Sequence, residues 1–384
     1  MKPTCKTLAS QPSWILRNRQ VELAVTRLGG QMAPVTFRRD TASPIQPYYI
    51  SPWQGEGGSW GAPVLKPLRG DFFCMPFGDN AAAWRGEDHP PHGETAGRAW
   101  RLAGAESVGP VASLTLDMRT RVRRGKVTKR LSLRDGHNAV YIQHTLEGLA
   151  GPMPVGHHAI LAADEPDESM LVATSRYAFG MTCPGAFGDP AGGSYQALAA
   201  GERFDNLKRV PLTFKTPAHG DCTKFPTRTG FTDLLAVFHK PAAHPTWTAV
   251  THSRDGWIWF ALKDAAVLPA TVLWIANQGR HGAPWNGRNR CLAVEDACTH
   301  FADGLAASAR SNALTRAGVA TVLKLTADRP TVVRHIQGVV KAPTTFGRVR
   351  TVTFAPGEAT FVSAKGKRVK AKVNWEFLRT GNVV

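Results

Sequence analysis

The sequence predicts an all-β protein built as a sandwich or barrel. Apolar and polar residues alternate in many short runs, as in Val21, Leu23 and Val25, and a period of two is typical of half-buried strands. Two apolar runs within residues 247–262 are separated by Arg254-Asp255-Gly256, which favours a hairpin turn. Gly, Pro, Asp and Asn separate the runs, and helical periodicity is nearly absent, so the pattern indicates a protein made of sheets.

Further strands are predicted at regular intervals along the chain, and one short helix is predicted at residues 303–315. The additional strand predictions cover residues 112–122, 138–146, 271–276, 320–325, 331–336, 349–354 and 367–377. The long irregular stretches 43–88 and 184–221 are rich in Gly, Pro and aromatic residues, which favours the wall of a ligand cleft. Large β-sandwiches exceed the usual domain length. We therefore expect a single domain over residues 1–384.

The chain is strongly basic, with 47 Lys and Arg against 29 Asp and Glu and a net charge of +18. The excess is concentrated in a basic C-terminal extension that begins at about residue 306. A basic protein attracts acidic sugars and other polyanions. No basic run alternates with aromatic residues as nucleic-acid platforms do, so nucleic acid is disfavoured as a partner. Arg368, Lys370 and Lys372 would share one face of an edge strand.

The cysteines and the apolar runs predict a cytoplasmic protein without a membrane span. None of the six cysteines forms a C-x-x-C pair, so reduced thiols are expected rather than a zinc or redox motif. The N-terminus has no apolar run of signal-peptide length. No stretch approaches the roughly 20 apolar residues of a membrane-spanning helix.

Residues able to do chemistry concentrate in four segments, at 68–80, 91–100, 153–161 and 285–304. Glu295 follows the apolar run 291–294, so we expect it at the end of a strand, where an acid can point into a cleft. His157 and His158 are adjacent on a predicted strand and must point to opposite faces. Only one of these two histidines can enter a cleft.

Short motifs in these segments resemble those of the aldose 1-epimerase (galactose mutarotase) family. They are Pro76-Phe77, His92-Gly93, His158-Ala159-Ile160-Leu161 and Ala293-Val294-Glu295-Asp296. The family has a Pro-Phe motif, then His-Gly, then a His-Pro-x-Phe-like and a Gly-Ile-Glu-Pro-like sequence in this order. The resemblance spans roughly residues 20 to 305. It implies a large antiparallel β-supersandwich of galactose mutarotase type.

The resemblance also implies an isomerase that interconverts sugar anomers by general acid-base catalysis. Glu295 would be the base, and His158, with His157 as the fallback, would be the acid that protonates the ring oxygen. The remaining implied contacts are a hydrogen bond from His92, sugar stacking on Phe77, Trp285 and Trp100, and hydroxyl binding by Asn80 and Arg98. No metal and no organic cofactor is implied. The substrate would be a monosaccharide or an acidic sugar.

The sequence departs from the family pattern at several positions. Ala81 follows Asn80 where the family often has Arg, and proline follows neither His158 nor Glu295. For the family's hydroxyl-binding aspartate, Asp164 and Asp255 are the candidates.

Other functions on the same fold remain open. A sugar-phosphate or acidic-sugar epimerase, a lyase or a non-catalytic carbohydrate-binding protein would share the architecture. Arginine binds carboxylate and phosphate in a bidentate manner, so the arginines near the motifs, Arg85, Arg98, Arg288 and Arg290, favour an anionic sugar. A metal site built from His89, His92, His157, His158 and Glu295 lacks the tight spacing of known ligand motifs.

Overall fold

The computed structural model describes residues 4–58, 60–163 and 167–384. The first strands are β1 (Thr4–Leu8), β2 (Gln11–Arg17), β3 (Glu22–Thr26), β4 (Met32–Thr36), β5 (Phe73–Cys74), β6 (Arg101–Val108), β7 (Val111–Thr120), β8 (Gly125–Arg134) and β9 (Ala139–Glu147). They are followed by β10 (Gly151–Met153), β11 (Val155–Ala162), β12 (Met170–Thr174), β13 (Phe179–Thr182), β14 (Arg203–Phe204), β15 (Val210–Pro211), β16 (His219–Gly220), β17 (Lys224–Phe225) and β18 (Phe231–Phe238).

The last strands are β19 (Thr246–His252), β20 (Trp257–Lys263), β21 (Ala270–Asn277), β22 (Arg290–Cys298), β23 (Leu323–Leu325), β24 (Thr331–Lys341), β25 (Val349–Ala355), β26 (Glu358–Ser363) and β27 (Arg368–Lys372). The helices are short: α1 (Gly93–Gly97), α2 (Gly304–Ala309), α3 (Ala313–Arg316), α4 (Phe377–Thr380) and the 3-10 turns Pro63–Leu65 and Pro190–Gly192. Within the described residues, no helix is long and apolar enough to cross a membrane.

Two large antiparallel sheets form the body of the protein. A nine-stranded sheet has the order β17-β12-β19-β20-β24-β9-β8-β7-β6, and a seven-stranded sheet has the order β14-β13-β18-β21-β22-β11-β5. Apolar residues from the inner faces of both sheets, such as Ile142 and Trp259 from one and Leu161 and Val294 from the other, share one core. The predicted sandwich is therefore confirmed.

Each large sheet is also covered on its outer face. Loop residues such as Trp53 and Phe72 pack on the outer face of the seven-stranded sheet against Ala293 and Trp274. The C-terminal sheet β25-β26-β27 and α4 pack on the outer face of the nine-stranded sheet. Because the strands between these layers are buried on both sides, several read as continuous apolar runs rather than alternating ones.

Several sequence predictions need correction in their bounds. The hairpin at Asp255-Gly256 forms between β19 and β20 as predicted. The strand expected at 367–377 ends at Lys372, and the predicted helix at 303–315 divides into α2 and α3. Glu295 does not end its strand, because β22 continues to Cys298. The prediction ended the strand with the apolar run, whereas the acidic residues after Val294 are also paired in the sheet.

The residues after 306 take part in the main sheets. β24 pairs with both β20 and β9 in the nine-stranded sheet. β27 pairs with β26 at the edge of the C-terminal sheet, and its residues Arg368, Lys370 and Lys372 are exposed while Ala371 is buried. The basic segment therefore has the alternation of a half-buried edge strand.

A buried polar network joins the inner faces of the two large sheets. Asp296 on β22 contacts Lys263 Nζ through Oδ1 at 2.8 Å and His335 Nε2 through Oδ2 at 2.8 Å. Thr271 Oγ1 donates a hydrogen bond to Asp296 Oδ1 at 2.7 Å. Burial alone would raise the pKa of Asp296, but Lys263 and His335 hold that pKa well below its usual range. The paired charges therefore tolerate complete burial.

Replacing Lys263 with Met should destabilise the protein by about 3–5 kcal/mol, because it leaves the Asp296 charge buried without its main partner. The free energy of unfolding in urea measures this loss. Lys126→Met is the matched control, since Lys126 forms a half-exposed ion pair with Glu147 of the kind that contributes about 0–1 kcal/mol. Equal effects of the two substitutions would contradict the role of the network.

Candidate active site

The pairing of β11 with β22 brings His158 and Glu295 together. In the antiparallel register His158 lies opposite Glu295, and His157 lies opposite Asp296. His158 Nε2 is 3.3 Å from Glu295 Oε1, and both side chains are almost completely buried. Side chains alternate between the two faces of a sheet. This pair therefore faces the outer layer, and His157 and Asp296 face the inner core.

His92 joins the pair from a tight turn before α1. Its backbone has a φ of 58°, and the following Gly93 has a φ of +74°, where a Cβ atom would lie 1.9 Å from the carbonyl oxygen of Met75. Only glycine permits this close approach. The His92 ring meets the His158 ring edge-to-face, with the centroids 5.2 Å apart. The turn therefore places the imidazole of His92 next to that of His158.

Two phenylalanines and a cysteine hold the imidazoles. Phe72 stacks on His158 with ring centroids 4.6 Å apart, and Phe77 contacts both His92 and His158. Cys74 Sγ is 3.4 Å from His92 Nδ1. Burial raises the pKa of the Cys74 thiol well above its usual value, so the thiol keeps its proton and can donate it to Nδ1. Neutral His92 then carries its own proton on Nε2.

A cavity of about 450 Å³ opens beside these residues, a volume within the range of small-molecule sites. His92, His158 and Glu295 contribute to its wall, together with Phe72, Trp274, Trp285 and Arg280. Trp285 packs edge-on against Trp274 and Trp53. Flat aromatic faces beside polar groups suit a ligand with both apolar and hydroxyl-bearing surfaces.

Arg280 was not predicted from the sequence, and neither were Trp274, Phe72 and Cys74 as residues of the site. Arg280 follows β21 and lies between two of the segments singled out above, so it belongs to no motif. Its guanidinium carbon lies 5.1 Å from the centroid of Trp285 and 5.3 Å from that of Trp274. The one signal in the sequence was a basic residue in the loop that follows a strongly apolar strand, β21, which ends at Asn277.

Burial shifts the ionisation of the site towards neutral groups. It raises the pKa of Glu295 to about 8, against an opposing effect of Arg280. Burial and then the charge of Arg280 lower the pKa of His92 to about 4. Burial and then His92 lower the pKa of His158 well below its usual value. At pH 7 the free protein therefore holds a protonated Glu295 beside neutral imidazoles.

His157 lies outside the cavity, in the inner core. Its Nδ1 is 3.0 Å from Asp71 Oδ2, and its ring stacks on His335 with centroids 4.4 Å apart. The structure therefore does not bring the fallback residue His157 to the cavity, because side chains alternate along β11 and that of His157 lies on the opposite face of the sheet from His158.

The side chains of Asn80 and Arg98 bind other groups of the protein. The Asn80 side-chain amide donates to the carbonyl oxygens of Pro76, Gly78 and Pro90, and its Oδ1 accepts from the backbone N–H of Leu305. Arg98 forms an ion pair with Glu94. Both were predicted to bind sugar hydroxyls, and in the structure these side chains bind other protein groups and do not line the cavity.

Two of the predicted stacking residues do not line the cavity. Phe77 is fully buried beneath the imidazoles. Trp100 belongs to the inner core, where its indole N–H donates to the carbonyl oxygen of Thr95. Trp285 is the member of this group that reaches the cavity wall.

The four arginines thought to favour an anionic sugar also lie away from the cavity wall. Arg288 pairs with Glu56 and Arg290 pairs with Asp167, while Arg85 lies over the ring of Trp84.

The remaining candidates do not converge on the cavity. His89 pairs with Glu87, so it does not join the other residues of the metal site considered from the sequence. In the part of the chain that the structure describes, no group of three or more His, Cys, Asp or Glu side chains could hold a metal ion. Asp255 lies in the turn between β19 and β20, and Asp164 lies outside the described residues.

No protein-family model and no curated protein sequence matches this chain. Solved structures do resemble it. A proposed mutarotase, YeaD from Salmonella typhimurium, has a TM-score of 0.58 at 12% identity, covering 88% of this chain and 94% of that one. A proposed aldose 1-epimerase from Escherichia coli K12 has a TM-score of 0.57 at 12% identity, covering 86% and 99%.

A galactose mutarotase-related enzyme from Lactobacillus acidophilus has a TM-score of 0.54 at 10% identity, covering 86% of this chain and 98% of that one. The protein therefore has a large antiparallel β-sandwich fold of galactose mutarotase type. At such low identity the likeness establishes the fold alone.

The raised pKa of Glu295 predicts a specific pH dependence of stability. A carboxyl whose pKa rises from 4.5 to about 8 on folding leaves stability intact below pH 4.5 and removes it as the pH rises through 8. Glu295→Gln cannot ionise, so its stability relative to wild type should increase between pH 5 and pH 9, as measured by urea unfolding. Glu56→Gln, at a half-exposed ion pair, should not become stabilising at high pH. A pH-independent effect of Glu295→Gln would contradict the shift.

Proposed function

We propose that the protein interconverts the anomers of an aldose by general acid-base catalysis at Glu295 and His158. The observation that carries this proposal is the contact of His158 Nε2 with Glu295 Oε1, 3.3 Å apart, in the wall of a cavity with aromatic faces. The names of the structural neighbours support the same reaction class. No metal or organic cofactor takes part in the proposed reaction.

The reaction needs one proton removed and one proton delivered. The anomeric hydroxyl loses its proton while the ring oxygen gains one, so the C1–O5 bond breaks and the open-chain aldehyde forms. Rotation about the C1–C2 bond and closure on the other face produce the second anomer, with the two proton transfers reversed. A general acid and a general base at fixed positions serve both directions.

The Glu295 and His158 pair can supply both roles with a single proton. In the free protein that proton resides on Glu295. Its transfer across the pair produces an ionised Glu295, the base for the anomeric hydroxyl, and a protonated His158, the acid for the ring oxygen. The pair therefore titrates as a unit. His92, with Nε2–H facing the substrate, would hydrogen-bond the ring oxygen or a neighbouring hydroxyl, and Trp285 would stack on an apolar sugar face.

Replacing Glu295 with Gln should slow anomer interconversion by about 10²–10⁴-fold, the usual contribution of a general acid-base group. Saturation-transfer NMR on a panel of aldoses measures the exchange rate, with Glu56→Gln as the control at an exposed glutamate. If the wild type binds a sugar saturably but does not accelerate anomer exchange, the enzymatic proposal is contradicted and the protein is a carbohydrate-binding protein.

The value of kcat/KM should be level near pH 7 and should fall above about pH 8. The pair loses its shared proton as the pH passes the pKa of Glu295, about 8, and a pair without that proton has no acid. A pH profile of exchange for the wild type tests this directly, because kcat/KM reports the free enzyme. A rate that keeps rising above pH 8 would mean that ionised Glu295 acts without a proton on His158.

A further inference from the structure

The guanidinium of Arg280 is unpaired in the wall of the cavity. In the described part of the chain, no carboxylate lies within ion-pair distance of it, and no protein acceptor receives a hydrogen bond from its side chain. Arg98, Arg288 and Arg290 nearby all have carboxylate partners. A guanidinium has five N–H donors and no acceptor, so Arg280 presents an unused set of donors to whatever occupies the cavity.

Aromatic rings hold this guanidinium in place. Its central carbon lies 5.1 Å from the ring centroid of Phe187, 5.3 Å from that of Trp274 and 5.1 Å from that of Trp285. Ring faces stabilise the cation through their quadrupoles, but they do not accept its in-plane hydrogen bonds. A planar fork fixed in this way is prepared to bind a carboxylate through two parallel N–H···O bonds.

Arg280 supplies the positive charge of the inner cavity. Burial lowers its pKa only to about 10, so it stays charged at neutral pH, whereas Glu295, His92 and His158 are uncharged there. Asp79 and Asp303 also line the cavity, but both are exposed residues, and the Asp303 carboxylate contacts His300. An anionic group beside Arg280 would replace the water that a buried guanidinium loses.

We propose that Arg280 binds the carboxylate of an acidic monosaccharide, so that the substrate of the site is a uronic acid. This proposal rests on the function proposed above and names its substrate class. No Lys and no second Arg is found among the described residues that line the cavity. A single guanidinium matches the single charge of a carboxylate better than the double charge of a phosphate, and the two aspartates would repel a dianion.

The experiment compares matched pairs of sugars that differ only in the carboxylate. The rates of anomer exchange of glucuronate against glucose, and of galacturonate against galactose, are measured for the wild type, Arg280→Gln, Arg280→Lys and Arg288→Gln. Arg288→Gln is the matched control, since it removes the same charge from the same loop at an exposed ion pair. Dissociation constants of the same sugars are measured with Glu295→Gln, and glucose 6-phosphate tests the phosphate alternative.

The wild type should favour each uronate over its neutral partner at least tenfold in kcat/KM. Hydrogen bonds to charged groups contribute about 1.5–3 kcal/mol, so Arg280→Gln should reduce this ratio by about 10–100-fold. Arg280→Lys should retain part of the ratio, and Arg288→Gln should retain all of it. Glu295→Gln should still bind uronate more tightly than aldose.

Equal use of uronates and neutral sugars by the wild type, or a preference that survives in Arg280→Gln, would overturn the assignment while leaving the proposed reaction intact. A preference for glucose 6-phosphate that Arg280→Gln abolishes would overturn the choice of carboxylate. If no sugar is interconverted but uronate binding still depends on Arg280, the proposed reaction fails and the assignment of Arg280 as the carboxylate-binding residue stands.

Discussion

The register between β11 and β22 decides which side chains enter the cavity and which enter the core of the sandwich. It places His158 opposite Glu295 and His157 opposite Asp296, and it sends the first pair to the cavity and the second to the inner core. A shift of one residue would exchange the two faces of a strand. It would then put Glu295 among the paired charges of the core and Asp296 into the cavity. The same pairing therefore organises both the stability of the sandwich and the chemistry of the site.

The two adjacent acids of β22 show how partners decide what burial does. Glu295 and Asp296 are almost equally buried, with 3% and 1% of their surface exposed. Asp296 has Lys263 and His335 within hydrogen-bonding distance, so its pKa falls and the charge is permanent. Glu295 has a neutral imidazole beside it and Arg280 only as a more distant charge, so its pKa rises. The first arrangement stabilises the fold, and the second leaves a carboxyl able to exchange its proton near neutral pH.

Arginines account for much of the basic charge, and ion pairing separates their roles. Arg98, Arg288 and Arg290 lie near the sequence motifs, yet each binds a carboxylate of the protein. Arg280 belongs to no motif, yet its guanidinium lies among three aromatic rings at the cavity. Neither net charge nor proximity in sequence therefore singled out the arginine that lines the cavity. Arg280 differs from these three in having no acidic partner within the described residues, which is a property of the folded chain.

Local sequence patterns were enough to predict the class of the fold, the hairpin at Asp255-Gly256 and the basic edge strand at Arg368–Lys372. They also marked the segments that carry His92, His158 and Glu295. These features are local, since period-two alternation and turn residues act over a few neighbours. Three outcomes required the folded chain. His158 rather than His157 faces the cavity, Asn80 and Arg98 are occupied by contacts within the protein, and Phe72, Cys74 and Arg280 lie beside His92 and His158 or in the cavity wall. Those outcomes depend on which distant strands pair and which charges find partners, and alternation along one strand cannot specify either.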